Sequence, residues 1–233
     1  MRTPTPFREL ELFVFDIAGT TLNHKNEVNA CFENTLTKYN IPIDRAHLNS
    51  IMGYKKRVAI QMALAHQGLD DKEDIVDAIH DDFLSSMNQY YESSDEVEAE
   101  KGVFELFDFL KDNGKKIALD TGFSRSTAEI IIQRVGWDTK GYIDAFVGSD
   151  EVPQGRPAPF MIHRLMKECE IEDVSKVAKT GDTPSDLLEG KEAMVGLNVG
   201  VTYGTHKADE LKEYDHDLLI GHPVELSEYL TNQ

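Results

Sequence analysis

Six short apolar runs, separated by stretches of helical spacing and by breaks rich in glycine, aspartate and proline, constrain this chain more than any other feature. The first, Leu10 to Phe15, is almost continuously apolar; it ends at Asp16 and then breaks into Gly19, Thr20 and Thr21. A run that is apolar on both faces reads as a buried parallel strand. Lys116 to Leu119, Ala145 to Val147, Val174 to Lys179, Leu197 to Val199 and Leu218 to Ile220 repeat the pattern. Helices are expected between them. Val103, Leu106, Phe107 and Leu110 share one face, Ser124 caps a second helix, Pro159 and Pro184 open two more, and a last lies near Lys207 to Tyr214. Repeated β-α units imply an α/β fold with a doubly wound parallel sheet, in which all carboxyl ends of the strands lie on one edge.

The alternation is interrupted once. From about Asn23 to Tyr91 the spacing is helical throughout: Asn26 to Tyr39, Arg45 to Met52, Lys55 to Gln67 and Lys72 to Tyr91. Glu92 to Glu100 then carries five acids and no basic residue, which reads as a solvated linker. The expected organisation is a small all-helical domain, 22–96, inserted after the first strand of a core made of 1–21 and 97–233.

Bulk composition excludes several classes. The 42 acidic and 24 basic side chains give a net charge of −18, which repels a nucleic-acid backbone or an anionic membrane surface. No apolar run approaches the roughly 20 residues of a membrane helix, and Met1 to Glu9 lacks the pattern of a signal peptide. A cytoplasmic protein is the expectation. Cys31 and Cys169 stand far apart and suggest neither a disulfide framework nor a zinc site. An anionic substrate would need local cations or a metal ion.

If the sheet is parallel, four strand ends converge: Asp16; Thr121 with Gly122; the loop carrying Arg156; and Asp182 with Asp186. A carboxylate at a strand end can attack phosphorus when a divalent cation neutralises the anionic oxygens and holds attacker and target together. Asp16 and Asp182 suit such a cation, and oxygen ligands point to magnesium. Asp186 falls one helical turn beyond Asp182. Thr121 offers a hydroxyl, Gly122 an amide and Arg156 a cationic fork to phosphoryl oxygens, although Arg156 could also be a surface residue answering the acidic excess.

Asp16-Ile17-Ala18-Gly19-Thr20-Thr21, paired with Gly181-Asp182-Thr183-Pro184-Ser185-Asp186, resembles the first and last motifs of the haloacid dehalogenase (HAD) superfamily, and the resemblance covers essentially the whole chain. It implies a Rossmann-like core with a helical cap and Asp16 as nucleophile. It also implies magnesium on Asp16, the backbone carbonyl of Ala18 and Asp182, with Asp186 holding a metal-bound water. Most phosphatases of the superfamily have a second aspartate two positions after the nucleophile. Here that position is Ala18, and losing such an acid costs on the order of 10²–10⁴-fold with an ordinary alkoxide leaving group.

Phosphonoacetaldehyde hydrolase, or phosphonatase, is the branch whose first motif also ends Ala-Gly-Thr-Thr. The resemblance to it implies that a cap lysine forms an imine with an aldehyde, so that an enamine departs when the carbon–phosphorus bond breaks. Met52, Gly53 and Lys56 match its Met-Gly and lysine, and Gly155-Arg156-Pro157 its arginine variant of the third motif. Such a lysine must be neutral, which requires an apolar setting or a nearby cation, for which Lys55 and Arg57 are candidates. The competing reading makes Lys55, Lys56 and Arg57 a solvated helix start. Two positions depart from the phosphonatase pattern, Ala59 in place of histidine and Phe123 in place of tyrosine; His24 could reach the mouth of the site. The sequence therefore supports a magnesium-dependent phosphonatase-like hydrolase acting on a small phosphonate or phosphorylated metabolite, with dimerisation through the cap. The alternatives are a phosphomonoesterase without the usual acid and a phosphometabolite-binding protein without chemistry.

Overall fold

The computed structural model describes residues 3–23, 25–69 and 73–233; His24 and Lys72 lie outside them. Strand β1 (Leu12–Asp16) is followed by four helices: α1 (Glu27–Lys38), α2 (Arg45–Ser50), α3 (Lys56–His66) and α4 (Glu73–Ser93). The chain then alternates: α5 (Val103–Asp112), β2 (Lys116–Thr121), α6 (Arg125–Val135), β3 (Ala145–Gly148), α7 (Phe160–Glu168) and β4 (Val177–Gly181). It closes with α8 (Pro184–Ala193), β5 (Leu197–Val201), α9 (Ala208–Leu211), β6 (Leu218–Ile220) and α10 (Pro223–Thr231).

The six strands form one sheet in the order β3-β2-β1-β4-β5-β6, every neighbouring pair parallel. The chain winds outward from β1 in both directions, so β1 and β4 flank the point where strand order reverses. Ligands bind outside the carboxyl ends at such a point. Both faces of the sheet are covered, which is why β1 is buried at every residue. Alternation sorts its side chains. Phe13 and Phe15 pack on one face, with Phe15 at 5.5 Å from Phe107 of α5. Leu12 and Val14 point to the other, against Met161, Ile162 and Leu165 of α7.

The four helices after β1 pack around Phe32 and Phe83, whose ring centroids are 4.4 Å apart, in a cluster continuous with the one on the Phe13 and Phe15 face of the sheet. Helix α4 also leans on α6: Thr127 donates to Asn88 Oδ1 at 2.7 Å, and Tyr91 stands edge-on to Phe123 at 5.7 Å. The acidic stretch after α4 is not the free linker its composition suggests. Asn23 N–H donates to the Glu98 carbonyl (3.0 Å) and Glu100 N–H to that of Thr21 (2.8 Å), so the two crossings into the helical segment lie side by side. Basic partners come from elsewhere in the chain, Lys25 to Glu98 and Arg134 to Asp95.

Other differences are local. Val174–Lys176 is a 3-10 turn, because Asp173 caps it by accepting the Ser175 N–H, and β4 starts only at Val177. The helix expected near Lys207 to Tyr214 is the four-residue α9. Helix α10 escaped the strand-and-helix reading, although Pro223 at its first position and Leu226 and Leu230 on its buried face were available signs.

Candidate active site

Asp16 is the last residue of β1 and is 5% exposed. The Thr21 hydroxyl donates to its carbonyl at 2.9 Å and fixes the turn that follows. Gly19, at φ 86°, is required there: a Cβ would run into the Asp182 carboxylate. Asp182 follows β4, accepts the Thr205 N–H at 2.6 Å and is fully buried. Thr183 caps α8 in a reciprocal box with Asp186, whose Oδ2 accepts both the Thr183 N–H and its hydroxyl. The capping requirement thus places Asp186 under the sheet edge.

Arg156 occupies a different place from the one its fork suggested. It is 2% exposed and turned beneath Asp16, donating from Nη1 to Asp16 Oδ1 (2.5 Å), from Nε to Glu189 (3.1 Å) and from Nη2 to the carboxylate and carbonyl of Asp120. It is absent from the residues lining the cavity. Buried carboxylates draw a guanidinium more strongly than an empty cleft does, so Arg156 orients the Asp16 carboxylate from behind. Asp186 Oδ1, expected to hold a metal-bound water, lies 3.0 Å from Arg156 and 3.1 Å from Lys179.

Lys179 was missed. It lies in β4, is wholly buried and meets Asp120 (2.5 Å), Asp186 and Glu189 (3.3 Å). Burial disfavours its ammonium, but Asp120, Asp186 and Glu189 outweigh that and raise its pKa. A lysine within an otherwise apolar central strand was the sign that could have found it, and with it Asp120 and Glu189. Burial first, then Asp120, hold the Glu189 carboxyl well above its ordinary range. A proton kept on Glu189 gives the pair a donor where Asp120 Oδ2 and Glu189 Oε1 otherwise lack one.

The carboxylate oxygens of Asp16, Asp120 and Asp186 fall within 4.8 Å of one another, a donor set that could hold a metal ion; here Arg156 and Lys179 stand beside it. On the cavity side the balance is different. Asp182 makes no ion pair with any described residue. Burial, then Asp16, push it up to about 8; burial, opposed by Arg156, pushes Asp16 up to about 6. Asp182, without a cationic partner, and the Asp16 carboxylate beside it in the cavity lining are oxygen donors that suit a hard divalent cation, and the residues fit magnesium.

A narrow cavity of about 30 Å³ opens on these groups. Asp16, Ala18, Asp182, Thr121 and Gly122 line it together with Met52 and Lys56. The Thr121 hydroxyl accepts the Phe123 N–H at 3.2 Å, which leaves its own proton for a ligand. Lys56, the first residue of α3, is 5% exposed and forms no hydrogen bond or ion pair with a described residue. Its Nζ stands 4.7 Å from the Phe123 ring centroid and 5.9 Å from that of Phe32. Burial lowers its pKa to about 8 against the pull of Asp16, and the cation that adds to the lowering is Arg156, in place of Lys55 or Arg57. Arg57 instead pairs with Asp77. Lys56 is therefore not the solvated residue of the competing reading. Ala59 is wholly buried among the apolar residues of the insert.

The model of the haloacid dehalogenase-like hydrolases matches residues 13–199, and the chain belongs to that family. It is similar to phosphonoacetaldehyde hydrolases. With that of Parabacteroides distasonis it is 41% identical over 107 residues, 46% of this chain and 39% of the relative, so that this match spans about two fifths of the relative. With that of Bacteroides fragilis it is 27% identical over 227 residues, 91% of this chain and 83% of the relative. A hydrolase from Pseudomonas syringae shares the fold, with a TM-score of 0.85 at 19% identity, covering 95% of this chain and 98% of that one. The chain is thus a hydrolase of the HAD type, phosphonatase-like or a phosphatase. No helix among the described residues is long and apolar enough to cross a membrane.

Proposed function

We propose that the protein hydrolyses the carbon–phosphorus bond of a small phosphonate aldehyde of the phosphonoacetaldehyde type. The observation that carries this is Lys56, a buried amine with no ion-pair partner, in the same cavity as Asp16. In its neutral form Lys56 attacks the aldehyde carbon, and loss of water gives an imine, protonated at nitrogen. Asp16 attacks phosphorus, and the electron pair of the breaking C–P bond flows to that nitrogen as an enamine. The enamine takes a proton on carbon and hydrolyses to acetaldehyde; a second water releases phosphate from the Asp16 acyl phosphate. The electrons leave through the imine, so the acid missing at Ala18 is not needed. The Thr121 hydroxyl and Gly122 amide donate to the phosphoryl oxygens, and Arg156 holds Asp16. Magnesium on Asp16, the Ala18 carbonyl and Asp182 would neutralise charge between the two anions.

In this reading 22–96 is a cap closing on a core of 1–21 and 97–233; it excludes water and delivers Lys56 and Met52. A cytoplasmic enzyme, dimeric through the cap, is part of the same proposal. A phosphomonoesterase is the second reading, favoured by the apolar Ala59 and Phe123, which offer no proton-transfer group beside Lys56.

Phosphate release with magnesium from phosphonoacetaldehyde and from a panel of small phosphate esters separates the two. The proposal expects turnover of the aldehyde that falls by about 10²-fold or more in Lys56→Ala. Turnover of esters alone, with Lys56→Ala fully active, refutes it.

A further inference from the structure

Besides the phosphoryl-handling groups, the cavity is lined by Val28, Asn29, Met52, Lys56 and Phe123. Three of these are apolar. Apart from Lys56, Asn29 alone of these five carries a polar side chain. Its position is built: Asn26, the N-cap of α1, takes the left-handed conformation at φ 61°, and the Asn29 amide donates to Asn26 Oδ1 and, across to α2, to Asn49 Oδ1, both at 3.0 Å. In this arrangement the Asn29 nitrogen faces both acceptors. Exchanging its nitrogen and oxygen alone, with Asn26 and Asn49 as they stand, would set one carbonyl oxygen against two others. The same network leaves Asn29 Oδ1 shielded from solvent and without a partner among the described residues. Buried carbonyl oxygens are ordinarily paired, so this one is an acceptor waiting for a donor.

We infer that Asn29 is a specificity-determining residue, its Oδ1 accepting a hydrogen bond from a hydroxyl on the carbon fragment of the substrate. The inference rests on the phosphonate-aldehyde reading and narrows it to hydroxylated phosphonate aldehydes. A neutral hydroxyl suits an amide acceptor in the same cavity as Lys56, where an ammonium would meet the protonated imine nitrogen. With a hydroxyl on the carbon bonded to phosphorus, the same bonds form and break, and glycolaldehyde leaves instead of acetaldehyde.

The test compares kcat/KM for phosphonoacetaldehyde and for its analogue hydroxylated on the carbon bonded to phosphorus, in the wild type, Asn29→Leu and Asn29→Asp. The wild type should prefer the hydroxylated aldehyde by about tenfold, the worth of one buried hydrogen bond left unmade in the plain substrate. Asn29→Leu should bring the ratio close to one, and Asn29→Asp, which keeps an acceptor oxygen, should retain the preference. A wild-type ratio of one or below, or a preference that survives Asn29→Leu, overturns the inference while leaving the phosphonate-aldehyde reading intact. Should Asn29→Leu not fold, the wild-type ratio alone decides. No phosphate from either aldehyde removes the underlying reading, and this inference with it.

Discussion

At the scale of residues, charge burial decides the roles. Lys56 has a folded-state pKa of about 8, below the ordinary 10.5. The folded protein therefore binds fewer protons than the unfolded chain between these values, and the cost of a buried ammonium, present at lower pH, is relieved as pH rises through this window. The neutral amine grows with pH in the same way, so the rate of borohydride-trapped imine formation should climb with a midpoint near 8. An amine titrating like an exposed lysine would remove the case for a desolvated nucleophile. Lys179 gives a stability prediction. Lys179→Met leaves Arg156 as the one cation against the buried acids Asp120, Asp186 and Glu189 and should cost about 3–5 kcal/mol in urea unfolding. By contrast Lys176→Met, which loses only a surface pair with Glu11, should leave the urea midpoint nearly unchanged. Asp16, Asp182 and Lys56 were readable because each sits in a motif with fixed spacing. Lys179, Asp120 and Glu189 were not, because their function is to meet one another across the sheet edge, and one strand does not display its neighbours. Arg156 was found by motif yet misplaced, since its direction depends on those unseen carboxylates.

At the scale of elements, the strands were readable from continuous apolar runs, and the helices of the insert from their spacing. Boundaries failed where a short polar side chain took a backbone bond, as at Asp173, and the acidic linker failed where backbone pairing overrode composition. The loop before α3 reaches the core through glycines: a Cβ on Gly122 would collide with the carbonyl oxygens of Gly53 and Tyr54, and one on Gly53 with the hydroxyls of Ser185 and Thr183. Gly122→Ala should therefore push Lys56 away from Asp16 and lower kcat/KM by about 10²-fold, the scale expected for a misplacement near 1 Å. The urea midpoint should change far less. Unaltered kinetics in a folded Gly122→Ala protein would show that the close approach of loop and core is not needed.

At the scale of the whole molecule, an acidic protein buries Asp16 and Asp182 together at the reversal point of the sheet. Asp16 and Asp182 are raised to about 6 and about 8 from an ordinary 3.8. Between roughly pH 4 and 8 the folded state thus binds more protons than the unfolded chain, so these groups contribute stability at the acid end and lose it as pH rises. Magnesium would replace those protons. It should raise the melting temperature more at about pH 8 than at about pH 5.5, and Asp182→Asn should remove the magnesium effect and flatten the pH slope to the part that Asp16 contributes. Equal melting with and without magnesium at both values would contradict the assignment of that carboxylate pair to a cation.

The central claim is that Lys56 and Asp16 act on one substrate in one cavity, and reductive trapping tests it most directly. The wild type incubated with phosphonoacetaldehyde, magnesium and borohydride, then digested and mapped by mass spectrometry, should carry an N-ethyl group on Lys56, the reduced imine left after the C–P bond has broken. Asp16→Asn should instead carry the intact phosphonoethyl group on the same lysine. An unmodified Lys56 in the wild type, or an equal yield of adduct from Lys56→Ala, would contradict the account.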